Sequence, residues 1–261
     1  MFARWRTAGL IVPGLMTLVA LPILIGLGNW QWHRKAWKED LISKIETRRT
    51  AEPISYAAAL SQYVRTGDVE YLHVRVTGTF DYGQERYLYA PTDVSQGSHV
   101  YTLMKPEGGL PPLFINRGWV PDALQDPSKR AAGQVPGIVT VTGLVRLPEH
   151  KGWFTPDNNY AANRWFSRDL DAMQYGAAGP PSPLQFATEK KQAYAPFSID
   201  ADAKPENPGG WPKGGTTVID IPNSHLQYVV TWYGLALTLV VIFGVFASQR
   251  LKAVKDSDVQ P

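Results

Sequence analysis

Two long apolar runs lie near the ends of this 261-residue chain, and shorter alternating segments fill the region between them. The runs from Ala8 to Leu27 and from Val229 to Gln249 contain no charged residue. A helix of about 20 residues is long enough to cross the roughly 30 Å hydrocarbon core of a bilayer. We therefore predict one transmembrane helix at 8–28 and a second at 225–248.

Basic residues flank both runs on their outer sides, at Arg4, Arg6, Arg250, Lys252 and Lys255. The positive-inside rule then places the tails 1–7 and 249–261 in the cytoplasm and the segment 29–224 on the other side of the membrane. A cleaved signal peptide is the main alternative for the first run. The run is longer than a usual signal sequence, and no small-residue cleavage site precedes Asn29, which favours a retained anchor.

The start of the second helix carries the clearest candidate for chemistry. Ser224 and Gln227 have the spacing of a capping box, which places His225 in the first helical turn. The positive end of the helix dipole favours a neutral imidazole there, and a neutral imidazole can coordinate a metal. Tyr228 and Trp232 follow on the same face, which predicts a surface for a flat apolar ligand with an iron atom at its centre. The alternative is that these residues only anchor the helix at the membrane interface.

A second candidate follows the first span. Trp30, Arg34 and Trp37 are spaced i, i+4 and i+7 on the continuing helix, which we expect to run to about Arg48. One helix face would then show a guanidinium between two indoles, and Arg34 could pair with the carboxylates of a ligand. An aromatic belt with outward-reaching cations explains the same pattern without a ligand.

Alternating residues predict short strands at Tyr71–Phe80, Arg86–Tyr89, Val100–Met104, Leu113–Asn116, Val139–Arg146 and Thr216–Ile221. Short helices are expected at Pro53–Gln62 and Asp169–Tyr175, and the segment from Ala177 to Lys213, rich in Pro, Gly and Ala, is expected to be irregular. The predicted fold is a membrane-anchored α+β protein. Its two transmembrane helices flank a mostly antiparallel, β-barrel-like outer domain with short helices.

Composition removes several functional classes. The absence of cysteine excludes a thiol redox pair, covalent c-type haem attachment and a thiolate copper site. Five of the 26 basic and two of the 23 acidic residues lie in the tails, which leaves 21 of each sign in the outer domain. The net charge of +3 therefore belongs to the membrane flanks, and we predict a lipid bilayer and no nucleic acid as a partner.

Motifs of common enzyme classes are absent from the sequence. It contains no Gly-x-Ser-x-Gly elbow, paired-histidine zinc motif, phosphate-binding loop or dinucleotide fingerprint. His73, His99 and His150 are dispersed single residues. We predict that the protein is not an enzyme.

Four motifs, in order along the chain, resemble the surfeit locus protein 1 family. They are Trp30-Gln31-x-x-Arg34-x-x-Trp37-Lys38, Asn116-Arg117-Gly118-Trp119-Val120-Pro121, Trp165-Phe166-x-x-Asp169 and His225-Leu226-Gln227-Tyr228-x-x-Thr231-Trp232-Tyr233-Gly234. The family comprises membrane-bound assembly factors of cytochrome c oxidase. The resemblance implies a two-span membrane protein with a periplasmic or intermembrane-space domain. We predict a multi-pass protein of the bacterial inner membrane whose central domain lies in the periplasm.

The resemblance also implies a function, which is to receive haem a from haem a synthase and to assist its insertion into oxidase subunit I. Bacterial members resemble haem a binders, and the implicated ligand, a histidine at the start of the second span, corresponds to His225. Haem a would be carried transiently, with its iron on His225 and its plane against Tyr228 or Trp232. Arg34 and Arg117 are candidates for the propionates.

A scaffold that holds an oxidase subunit I assembly intermediate without binding haem is the alternative function. For that function, Gln227, Thr231, Gly234 and Thr238 would form a helix-packing face on the second span. The same face could instead pack against the first span of the chain itself, where Gly14 and Gly26 lie.

Overall fold

The computed structural model describes residues 2–149, 151–180, 194–217 and 223–257. The chain separates into two compact units. We call the first, formed by Met1–Lys44 and Asp220–Pro261, the helical unit. The second, formed by Ile45–Ile219, is the β unit.

The helices are α1 (Phe2–Thr7), α2 (Ile11–Thr50), α3 (Tyr56–Thr66), α4 (Leu170–Met173) and α5 (His225–Ser257). The strands are β1 (Ile54–Ser55), β2 (His73–Tyr89), β3 (Gly97–Pro106), β4 (Leu113–Pro121), β5 (Ile138–Arg146), β6 (Arg164–Trp165) and β7 (Ser198–Ala201). Short 3₁₀ turns connect several of these elements.

Helices α2 and α5 are each long and apolar enough to cross a membrane. Only 6% of the most apolar stretch of α2 and 11% of that of α5 are buried within the protein, so most of these apolar side chains face outward. A core helix of a soluble protein would cover them with other protein atoms. The two helices near the ends of the chain therefore suggest a membrane-anchored protein.

Within the helical unit, α2 and α5 pack as an antiparallel pair. A Cβ atom added to Gly14 would lie 3.5 Å from the ring of Phe243, and one added to Gly28 would lie 2.8 Å from the ring of Tyr233. The hydroxyl of Tyr233 also donates a hydrogen bond of 2.6 Å to Asn29. Residues later in α2 therefore contact residues earlier in α5. The end of the first apolar run thus lies beside the beginning of the second.

The β unit is a closed barrel of five strands, in agreement with the predicted class. Strand β2 pairs antiparallel with β3 and β5, β3 pairs antiparallel with β4, and β7 closes the ring between β4 and β5. The β4–β7 pairing is parallel, and the short strands β1 and β6 add to β2 in parallel. The sheet is thus mostly antiparallel, with parallel additions that the sequence did not predict.

Strand β2 corrects the prediction of two separate strands at Tyr71–Phe80 and Arg86–Tyr89. A single strand runs through the intervening residues, and the register of its pairing with β3 shifts between Asp81 and Glu85. A bulge of this kind lets one long strand bend around a barrel without ending. The bend places Glu85 inside the β unit.

The alternation predicted for the first half of β2 is confirmed. Val74 and Val76 are buried in the barrel core, whereas Arg75 between them is exposed. Strand side chains alternate between two faces, so this pattern directs one face of β2 inward. The surrounding core is formed mainly by Ala59, Val69, Met104, Leu113, Ile115, Val145, Phe197 and Ile199.

Helix α3 starts and ends later than the predicted helix Pro53–Gln62. The Ser55 hydroxyl accepts a hydrogen bond from the Ala58 N–H and caps the first turn, while Gly67 with a φ of 68° ends the helix. Helix α4 is shorter than the predicted helix Asp169–Tyr175. Asp169 is its N-cap, and the helix ends at Met173.

The segment from Ala177 to Lys213 is irregular over most of its described part, as expected, but the expectation was wrong for Ser198–Ala201. It contains β7, which closes the barrel, and both Phe197 and Ile199 are fully buried. Residues 181–193 lie outside the described residues. For the predicted strand Thr216–Ile221, the two described residues, Thr216 and Thr217, are not in a strand, and 218–221 lie outside the described residues.

Candidate functional site

His225 begins α5, as the capping pattern predicts. The Gln227 N–H donates a hydrogen bond of 3.1 Å to the Ser224 carbonyl in the first turn. The His225 ring is half-buried, and its Nδ1 atom lies 2.7 Å from Oε1 of Gln31 on α2. This contact joins two residues that are 194 positions apart in the chain.

The contact with Gln31 determines which imidazole nitrogen carries the proton. An amide oxygen only accepts hydrogen bonds, so in the orientation of the Gln31 amide that places Oε1 toward the ring, Nδ1 of His225 is the donor. Nε2 of the neutral ring then keeps its lone pair. Nε2 is buried and has no hydrogen-bond partner among the described residues. This arrangement resembles the usual support of a metal-binding histidine, in which the second nitrogen is held by a hydrogen bond.

Trp232 and Tyr228 lie in different surroundings on α5. The indole Nε1 of Trp232 is also buried and has no hydrogen-bond partner within the described part of the chain. The Tyr228 side chain is 50% exposed. Trp232 therefore faces the packed side of α5 together with Val229, whereas Tyr228 lies at the edge of that side.

The residues predicted after the first span lie on α2, with Trp30 directly before Gln31 and Arg34 and Trp37 beyond it. The Arg34 guanidinium lies 4.1 Å from the ring centroid of Trp37, while Trp30 and Trp37 are 58% and 51% exposed. The stack joins Arg34 to one of the two predicted indoles. Arg34 itself is exposed, which leaves its charge accessible from outside the protein.

Arg117 belongs to the β unit, and its side chain is only 3% exposed. Its guanidinium lies 5.1 Å from the ring centroids of both Phe80 and Tyr82. Burial lowers the pKa of Arg117, an effect that Tyr82 and the carboxylate of Glu85 oppose. Arg117 is thus held in the interior of the barrel domain, whereas Arg34 is exposed on a helix.

Glu85 and Arg130 complete a buried charged cluster that sequence reasoning missed. Arg130 donates hydrogen bonds to both carboxylate oxygens of Glu85, at 3.2 and 2.5 Å. The Tyr87 hydroxyl donates to the same carboxylate at 2.8 Å. The only signal in the sequence was an acidic residue within the segment that forms β2. Its burial could not be predicted, because it depends on the bulge that turns Glu85 inward.

The face proposed for helix packing lies opposite the packed side of α5. Gln227, Thr231, Gly234 and Thr238 are all exposed. A Cβ atom added to Gly234 or to Gly26 would meet no atom within 4 Å. The idea that this face packs against the first span is therefore wrong, because the opposite side of α5 makes those contacts. Gly14 does contact α5, through Phe243.

A metal site built from several side chains is absent from the described residues, in which no three His, Asp or Glu side chains converge. Nε2 of His225 remains a buried nitrogen of the helical unit with no partner among the described residues. One imidazole is sufficient for a haem, because the porphyrin supplies the four equatorial nitrogens and the protein only an axial ligand.

Comparisons with known proteins agree with the motifs. A family model described as the SURF1 family matches residues 18–237. Surfeit locus protein 1 of Rattus norvegicus is 36% identical over 225 residues, which cover 80% of this chain and 67% of the relative. A SURF1-like protein of Monosiga brevicollis is 36% identical over 238 residues, covering 86% and 84%, respectively. Surfeit locus protein 1 of Homo sapiens is 34% identical over 236 residues, covering 84% and 72%. The chain therefore belongs to the SURF1 family.

Proposed function

We propose that this protein binds haem a at the outer membrane interface and assists its insertion into subunit I of cytochrome c oxidase. The SURF1 family is linked to cytochrome c oxidase assembly, and this link suggests a non-catalytic role. In the proposed arrangement, α2 and α5 cross the bacterial inner membrane, the β unit lies in the periplasm, and both termini are cytoplasmic.

The observation that carries the proposal is the state of the His225 ring. Its Nδ1–H is held by Gln31, so Nε2 presents a lone pair that is not engaged by any described residue. A lone pair oriented by a hydrogen bond on the opposite ring nitrogen is the form in which histidine binds iron. The residues present therefore fit haem as cargo.

Neighbouring side chains have defined tasks in this proposal. Trp232 would contact the face of the tetrapyrrole, and Tyr228 would do so at the edge of α5. Because Nε2 of His225 is shielded from solvent, a covering side chain must move before iron can bind. Binding would thus be accompanied by a local rearrangement of the α2–α5 pair.

Charged and aromatic residues after the first span would bind the polar edge of the cargo. The exposed Arg34 would pair with a propionate, and Trp30 and Trp37 would contact the ring or the lipid beside it. Arg117 is a second propionate candidate, but its burial means that a carboxylate would have to enter the β unit to reach it.

A single axial imidazole suits a carrier better than a permanent haem site. One iron–nitrogen bond can be exchanged for the histidine ligands of the oxidase, whereas two protein ligands would hold the cargo more firmly. His225 would receive haem a from haem a synthase and release it to subunit I. The hydrogen bond that Nδ1–H of His225 donates to Oε1 of Gln31 keeps the imidazole in the correct tautomer throughout.

The first prediction is that His225→Ala abolishes haem a binding. Wild type and variant are purified from cells that also make haem a synthase, and haem is extracted and quantified per protein. Loss of the axial ligand should lower the haem content by at least about tenfold, since even weakened support of a metal ligand costs 10–100-fold in affinity. Gln227→Ala, on the exposed opposite face, is the matched control and should keep its haem. Full haem content and an unchanged spectrum in His225→Ala would refute the assignment.

The scaffold function remains the second candidate, and the exposure of the packing face favours it. Gln227, Thr231, Gly234 and Thr238 are uncovered and could meet a helix of oxidase subunit I. The two functions predict different colours for the purified protein, because only a haem-binding protein absorbs visible light. A colourless wild-type protein that still copurifies with subunit I, and loses it in Gly234→Leu, would support the scaffold.

A further inference from the structure

A cavity of about 140 Å³ opens beside Arg117 in the β unit. Apolar side chains form much of its wall, among them Phe80, Ile115 and Val141. A cavity of this size holds a molecule about as large as benzene. Its position inside a barrel domain is typical of small-ligand sites, which combine apolar walls with a few oriented polar groups.

Arg117 contributes hydrogen-bond donors that no described residue accepts. Its Nη2 donates to the carbonyl of Gly133 and, at 3.4 Å, to Oδ1 of Asn207. Its Nε and Nη1 are buried and have no hydrogen-bond partner among the described residues. Buried guanidinium groups normally have their N–H donors satisfied, so these two nitrogens indicate a missing acceptor.

The nearest carboxylate does not supply that acceptor. Oε1 of Glu85 lies 3.6 Å from Nη1 of Arg117, which is beyond hydrogen-bond distance. Glu85 is instead bound by Arg130 through both oxygens and by Tyr87. Two guanidinium groups thus share one carboxylate, and the cluster keeps one positive charge in the interior, at Arg117.

The rings of Phe80 and Tyr82 hold Arg117 in place. Each ring centroid lies 5.1 Å from the guanidinium carbon, and both residues also line the cavity. The guanidinium is therefore not free to turn toward solvent. A ligand that satisfies Arg117 must enter the cavity, rather than Arg117 leaving it.

The other charges around the cavity restrict the kind of anion. Lys204 and Glu206 line it as exposed residues of opposite sign, and Asp202 lies 2.8 Å from Nε2 of His73. Two acidic side chains near the cavity disfavour an anion with several charges. Apolar walls around a single buried cation favour one charge on an aliphatic tail.

We infer that the Arg117 cavity is a binding site for a short aliphatic carboxylate. The carboxylate accepts a hydrogen bond from one of the two unused nitrogens of Arg117, which lie on different edges of the planar guanidinium, and its tail contacts Phe80 and Val141. Two kinds of ligand would supply this carboxylate group: a free short-chain carboxylate, or a larger ligand such as haem that carries a carboxylate arm. The site itself does not rest on the His225 assignment, because it concerns residues of the β unit alone, whereas haem as the source of the carboxylate rests on the proposed function.

The test uses the full-length protein in detergent and the fluorine NMR signal of trifluorobutyrate. Binding should broaden the signal, and the neutral analogue trifluorobutyramide should be broadened much less, because it lacks the charge that pairs with Arg117. Arg117→Gln should weaken trifluorobutyrate binding at least tenfold, since it replaces charge-assisted hydrogen bonds with neutral ones. Arg75→Gln, which changes an exposed arginine on β2, is the matched control and should bind as wild type does.

A second variant guards against misfolding of Arg117→Gln. Val141→Phe fills the cavity while keeping Arg117, and it should also lose the broadening. Loss of trifluorobutyrate binding with unchanged haem content in both variants assigns the site to a free carboxylate. Loss of both assigns it to the carboxylate arm of the haem. Broadening that is absent in wild type, equal for the amide, or unchanged in both variants would overturn the inference.

Discussion

Glu85→Gln is expected to destabilise the β unit by about 3–5 kcal/mol, because removing one partner of a buried ion pair leaves the remaining charge uncompensated. Here the effect concerns two guanidinium groups, since Arg117 and Arg130 both face the Glu85 carboxylate and are almost completely buried. Glutamine keeps the size of the side chain but accepts through only one oxygen. The loss is therefore electrostatic rather than a consequence of a cavity.

The free energy of unfolding is measured by urea denaturation of the full chain, followed by near-ultraviolet circular dichroism. Glu52→Gln, which changes an exposed glutamate, is the control and should alter stability by less than about 0.5 kcal/mol. Adding Arg130→Met to Glu85→Gln should restore part of the stability, because one of the two uncompensated charges is then removed. A loss below about 1 kcal/mol in Glu85→Gln would contradict the buried cluster, since exposed ion pairs contribute no more than that.

Gly118→Ala is expected to cost about 3 kcal/mol or more, through backbone strain and a direct clash. Gly118 has a φ of 124°, which residues with a Cβ atom rarely adopt. A Cβ atom there would lie 2.0 Å from the carbonyl oxygen of Lys213. That carbonyl accepts the Trp119 N–H at 2.9 Å, so relief of the clash would break a bridge between β4 and the segment after β7.

Gly137→Ala separates backbone strain from steric clash, the two contributions to the destabilisation expected for Gly118→Ala. Gly137 has a φ of 81°, but a Cβ atom there would meet no atom within 4 Å. It should therefore show only the backbone cost, about 1 kcal/mol. Urea midpoints of the two variants are compared with that of wild type. Equal losses would mean that the close approach at Gly118 contributes nothing.

Local patterns were sufficient to predict the elements that depend on local physics. The uncharged runs predicted α2 and α5, and the spacing of Ser224 and Gln227 predicted where α5 begins, because these features involve neighbouring residues along one helix. The alternation around Val74 predicted the inward face of β2 for the same reason. Prediction failed for β7, a strand of four residues that exists because β4 and β5 lie on either side of it.

The candidate sites were predictable only in part. The position of His225 in the first turn marked it as a candidate, but its hydrogen bond to Gln31 links two helices that are far apart in sequence. No periodic pattern records such a contact. The pairing of Glu85 with Arg130 likewise depends on the bulge in β2 and on a turn 45 residues later. Charge clusters built across a barrel become visible only in three dimensions.

The most direct test of the central proposal is a resonance Raman measurement of the iron–nitrogen stretching band in the haem-loaded protein. Samples are made with ordinary and with heavy-nitrogen histidine, for wild type, Gln31→Leu and the control His33→Gln, which changes an exposed histidine on α2. Coordination by His225 predicts a band that shifts with the isotope and is unchanged in His33→Gln. The band should move to lower frequency in Gln31→Leu, because the imidazole loses the hydrogen bond that raises its basicity. A band that does not shift with the isotope, or that disappears in His33→Gln, would contradict the proposal.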